Sequence, residues 1–117
     1  VTREKLKIEF DDATKSITVV TPGGQSLVLD DDAKLIKMED SHGNSIKMDA
    51  DGITIDSAGR VKIDGEGIEI AATGDATVSG MNVTCSADSA FKSTGGTSAE
   101  ISSSGQTTVW GTMTMIN

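Results

Sequence analysis

The chain has 117 residues, a net charge of −8, 13 Gly, two Phe, one Trp and no Tyr. Aromatic side chains normally supply much of a buried core, so this composition predicts small aliphatics buried along a narrow line instead. The acidic balance excludes a nucleic-acid surface, which needs clustered Lys and Arg. No run reaches the ~18 apolar residues of a membrane span, and none has helical periodicity.

In residues 1–45 apolar residues come in pairs two apart, Ile8/Phe10, Ile17/Val19, Leu27/Leu29 and Ile36/Met38, with nine or ten residues from pair to pair. Both members of a pair point to one side of a strand. The links are rich in Asp, Gly and Asn, and the only Pro, Pro22, sits in one of them, where it removes no ladder hydrogen bond. Links of this length make hairpins or wide corners, and residues 1–45 are predicted as a less regular β collar.

From Ile46 the stride shortens to seven or eight residues, with pairs Ile46/Met48, Ile53/Ile55, Val61/Ile63, Ile68/Ile70, Ala76/Val78 and Val83/Cys85. Weaker markers continue the period: Phe91, Ala99/Ile101, Thr107/Val109 and Met113/Met115. A fixed short period signals a stacked architecture rather than a single core. Residues 46–117 are predicted as a regular region whose inward side chains include Ile46, Met48, Ile53, Ile55, Val61, Ile63, Ile68, Ile70, Val78 and Val83. Residues 1–70 carry 15 acidic and 9 basic side chains, whereas the remainder carries only Asp75, Asp88, Glu100 and Lys92. Thr and Ser replace charge there, and Thr suits a wet strand face.

One chain coiled alone leaves open ladders at both ends. Three chains wound about one axis bring a neighbour to each strand and place all dry lines at the centre. The expected fold is therefore all-β, an intertwined homotrimeric triple-stranded β-helix forming a triangular prism rod. With strands ~4.8 Å apart, about 14 strands per chain would span roughly 60–70 Å.

The text Gly43-Asn-Ser-Ile-Lys-Met-Asp-Ala-Asp-Gly-Ile-Thr-Ile-Asp56, then Gly67-Ile-Glu-Ile70, Ala72-Thr-Gly-Asp-Ala-Thr-Val-Ser-Gly-Met-Asn-Val-Thr84 and Gly111-Thr-Met-Thr-Met-Ile-Asn117 resembles the C-terminal β-helix of VgrG spikes of type VI secretion and of contractile phage tail central spikes. The resemblance covers nearly the whole chain. It implies an envelope-piercing needle driven by a contracting sheath, joined upstream to a spike platform and tail tube, and touching the target membrane transiently. It also implies a PAAR-type cap on the blunt tip, here Trp110, Thr112, Met113, Thr114, Met115, Ile116 and Asn117. Such an apparatus is assembled in the cytoplasm of a bacterium or phage host and delivered into a target envelope or the extracellular space. The Val at position 1 and the missing signal peptide fit a fragment of a longer protein.

No catalytic, cofactor or metal site is expected. Asp49-Ala-Asp-Gly52 lacks the Glu that an EF-hand places six residues after its Gly, since position 58 is Ala. His42 has no second His or Cys to share a metal with, and phage spikes that carry a His-x-His iron tip are not matched. Asn82-Val-Thr84 fits a glycosylation sequon but falls in or beside a strand, Asp30-Asp-Asp32 reads as a solvated corner, and Cys85 as an inward filler. The alternative function is a trimeric β-helical adhesin or glycan-binding tailspike segment. Trp110, Phe10 and Phe91 are too few aromatics to favour it.

Overall fold

A computed structural model describes residues 1–117 as an all-β chain with six strands and no helix. It divides into two units, residues Val1–Glu69 and Ile70–Asn117. The strands are β1 (Lys7–Asp11), β2 (Ser16–Val20), β3 (Ser26–Asp30), β4 (Leu35–Glu39), β5 (Ser45–Asp49) and β6 (Gly52–Asp56). They form one sheet in the order β1-β2-β3-β4-β5-β6, every neighbouring pair antiparallel.

The stride of nine and ten residues is a hairpin repeat of 19: β1, β3 and β5 begin at Lys7, Ser26 and Ser45, and β2 and β4 at Ser16 and Leu35. The links of the first third are thus hairpins, and the region is regular with a longer period than the sequence pairs suggested. Its ladder continues past residue 45 through β6.

Two loop types alternate, and local hydrogen bonding explains each. On one edge of the sheet lie loops 2–6, 21–25 and 40–44. Their first residue closes the loop: Thr2 N–H to the Leu6 carbonyl at 2.7 Å, Thr21 to Gln25 at 3.0 Å, and Asp40 to Asn44 at 3.0 Å. The same residue's side-chain oxygen accepts the N–H of the fifth, from Leu6 at 3.0 Å, Gln25 at 3.3 Å and Asn44 at 3.0 Å. The fourth position is left-handed, φ 63° at Lys5, 96° at Gly24 and 89° at Gly43, which suits Gly and strains Lys.

On the other edge, loops 12–15 and 31–34 end on left-handed Lys15 (φ 53°) and Lys34 (φ 54°). Acids at the strand ends cap them, Asp11 accepting from Ala13 N–H and Asp30 from Ala33 N–H, both at 2.9 Å. The third turn is shorter. Asp49 accepts from Asp51 N–H at 2.9 Å, and Gly52 takes φ 125°.

Successive loops of the first edge are tied together by amide side chains. Gln25 Oε1 accepts the Ser41 N–H and Asn44 Oδ1 accepts the Ala58 N–H, each at 2.9 Å. His42 is an exposed loop residue whose N–H donates to Asp40 at 2.8 Å.

Beyond Asp56 no strand ladder forms, yet the chain bends at 58–59, 66, 73–74, 81–82, 88–89, 96–97, 104–105 and 112–113. That spacing of seven or eight residues is the period of the apolar pairs. Gly occupies or adjoins nearly every bend, and at Gly95 an added Cβ would overlap the Ser98 carbonyl.

The Asp40 carboxylate sits below its ordinary value of 3.8, held down first by the Asn44 side chain and then by the Asn44 and His42 backbone N–H groups. A carboxyl with a depressed folded-state pKa stabilises fully above its unfolded pKa, and that contribution is lost as pH falls through the folded value. The 40–44 loop is thus expected to loosen only below about pH 4. An Asp40 carbon-detected NMR titration with an ordinary midpoint would contradict this.

Candidate oligomer interface

The strand register gathers the apolar pairs onto a single face. Ile8 lies opposite Val19 and Phe10 opposite Ile17; Leu27 and Leu29 pair with Val19 and Ile17, then with Met38 and Ile36. The series continues through Ile46 and Met48 to Ile55 and Ile53. One face of the sheet is therefore wholly apolar, two side chains from every strand. The chain by itself buries none of them: it has no buried hydrophobic residue, and Phe10 and Ile53 are 73% and 70% exposed.

The opposite face carries Lys-x-acid triplets. Lys37 and Glu39 pair at 3.2 Å, Lys47 and Asp49 at 3.4 Å, and Lys7 with Glu9 likewise. Beyond the sheet, Lys62 repeats the pattern with Asp64 at 3.1 Å. Spacing of two puts both charges on the wet side of an extended segment. Lys37 and Lys47 face each other across the ladder, a destabilising juxtaposition that each acid locally offsets. Such exposed pairs contribute about 0–1 kcal/mol each. They keep this face wet, whereas each apolar side chain opposite would contribute about 1.5–3 kcal/mol on full burial.

A second deficiency lies in the backbone. Between residues 57 and 117 no backbone N–H donates to another residue's backbone carbonyl, and every side chain from Ala58 onward is exposed. This backbone has regular Gly-marked corners and no strand paired beside it within the chain. More than nine in ten buried backbone groups are paired in native proteins, so burial of this segment requires strands from other chains.

A family model described as the phage baseplate V C-terminal trimerisation domain matches residues 16–117. The chain belongs to this family. Its match begins at the first residue of β2 and covers the apolar face of β2–β6 and the segment without a ladder. No curated protein matches the chain. Membership in a phage baseplate trimerisation family supplies what the single chain lacks: copies of itself.

Of the residues expected inside, the sheet brings Ile46, Met48, Ile53 and Ile55 onto the shared apolar face. Val61, Ile63, Ile68, Ile70, Val78 and Val83 lie between bends in the segment without a ladder, all exposed in the single chain. At the C-terminal end Thr112 and Met113 form a bend, and Trp110, Thr114, Met115, Ile116 and Asn117 are exposed beside it. Cys85 is also exposed. The apolar residues of β1–β4 belong to the same face as Ile46 and were legible as pairs. Without the antiparallel register, nothing in the sequence joined them to the later ones.

Replacing Ile55 with Asp would bury a carboxylate from each copy, costing several kcal/mol apiece. The expected outcome by light scattering is loss of the oligomer for Ile55→Asp, and its retention for Thr54→Asp on the opposite face.

Proposed function

We propose that three copies form the shaft of an envelope-piercing spike in a contractile injection apparatus, phage-tail-like or of the VgrG type in type VI secretion. The observation that carries this reading is the segment 57–117, which keeps a corner every seven or eight residues but has no backbone partner of its own. Three such segments, each set beside the other two, satisfy one another's ladders and turn the lines through Ile63, Ile70 and Val78 toward a common axis.

The two parts of the chain would trimerise differently. Residues 7–56 already hold their ladder within one chain, so each copy contributes a whole wall and only the apolar faces meet. Residues 57–117 contribute strands to a shared ladder. Intertwining on this reading begins after β6 rather than at Ile46.

The work of such a shaft is mechanical. Interleaved strands separate only when many ladder bonds break together, so survival is governed by the unfolding rate, and axial force is borne by backbone rather than by a soft core. The acidic outer surface opposes adhesion to anionic lipid during passage. No catalytic step is assigned.

We extend the reading to the C-terminal end, where Trp110, Met113, Met115 and Ile116 are 94%, 81%, 85% and 90% exposed. In three copies these residues would form an apolar surface with adaptable Met side chains, which suits a PAAR-type cap.

Light scattering is expected to yield three times 12.1 kDa, with hydrogen exchange showing amides of 57–117 protected for hours. A monomer, or rapid exchange throughout 57–117 in a trimer, would overturn the shaft. Deleting residues 112–117 is expected to abolish binding of a PAAR-type protein; undiminished binding would remove only the cap.

A further inference from the structure

The two edges of the sheet are chemically unlike. Loops 2–6, 21–25, 40–44 and the corner 57–60 share one edge, which carries Lys5 and both arginines of the chain, Arg3 and Arg60, against the acids Glu4 and Asp40. The opposite edge holds loops 12–15, 31–34 and 50–51, with Asp12, Asp31, Asp32 and Asp51 against Lys15 and Lys34, so the first edge is net basic and the second net acidic. Lys7, Lys34, Lys37, Lys47 and Lys62 all make ion pairs within the chain, whereas Arg3, Arg60, Asp12, Asp32 and Asp51 make none. All five are exposed.

We propose that these edges form a heterologous electrostatic seam between copies of this chain, the arginine edge of one against the aspartate edge of the next. The inference rests on the trimeric reading above. Three sheets with their apolar faces inward, related by a threefold axis along the direction in which strands stack, close only if each sheet's left edge meets the next sheet's right edge. Rotation leaves height along the axis unchanged. Loop 50–51 precedes β6 and corner 57–60 follows it, so Asp51 of one copy stands level with Arg60 of the next to within about one strand spacing of ~4.8 Å. The same holds at β1, with Arg3 before the strand and Asp12 after it.

The charges cannot serve each other within one copy. A five-residue strand separates the edges by about 17 Å, roughly twice the ~8 Å screening length at physiological ionic strength. Meeting edge to edge removes that separation. The seam would also fix direction, since an aspartate edge repels another aspartate edge and sheets cannot close in mixed orientation.

The test is a charge-reversal cycle on the full chain, with mass and melting midpoint measured for Arg60→Glu, Asp51→Arg and the double variant at low and physiological salt. Neither residue lies on the apolar face, so the sheet is left intact. Each single variant is expected to melt about 2–4 °C lower, more so at low salt, and the double variant to recover at least half the summed loss. Arg3→Glu with Asp12→Arg repeats the cycle at the other end of the sheet. If the parent is a trimer but the single variants melt like it, or the double variant loses the full sum, the seam is refuted while the trimer stands. A parent mass other than three chains refutes the trimeric reading and the seam with it.

Discussion

Backbone hydrogen bonding is the constraint on which this molecule turns. Buried backbone N–H and C=O groups need partners, and residues 57–117 have regular corners and no backbone pairing within the chain. Residues 7–56 solve the same problem locally, by hairpins. What the hairpins leave unsolved is hydrophobic rather than polar: a sheet with one dry face and nothing behind it. Both deficits are met by the same remedy, further copies of the chain, and the family's description as a trimerisation domain agrees with it.

The hairpin region shows how little sequence is needed to make a wall. An oxygen-bearing residue opens each five-residue loop, a left-handed residue takes its fourth position, and an Asp at the far end of a strand caps the next turn. Because these bonds span at most four residues, the sheet has short-range contacts that favour rapid formation. The wall so formed presents one apolar face.

Side-chain chemistry follows the same division. Lys-x-acid triplets hold charge on the outer face of the sheet, and toward the C-terminus Thr and Ser take over that role. The apolar face of the sheet is built from Ile, Val, Leu and Met, with Phe10 its one aromatic residue. On the proposed reading, the function of such a shaft would reside in stiffness and in its ends.

The sequence by itself determined the all-β class, the alternation of dry and wet positions, and the corner period beyond Asp56, because period-two apolar pairs and Gly- or Asp-bearing links are local properties of extended backbone. His42 as an exposed loop residue was legible for the same reason. Only the tertiary structure decided that the first six strands pair with one another antiparallel and that Phe10, Leu29 and Ile55 share one face, since register depends on which loops close and the pairs are compatible with either hairpins or wide corners. It also placed Arg3 and Arg60 on one edge and Asp12, Asp32 and Asp51 on the other. Sequence distance does not reveal this, because Asp51 and Arg60 are near neighbours in the chain yet a strand's length apart in the sheet.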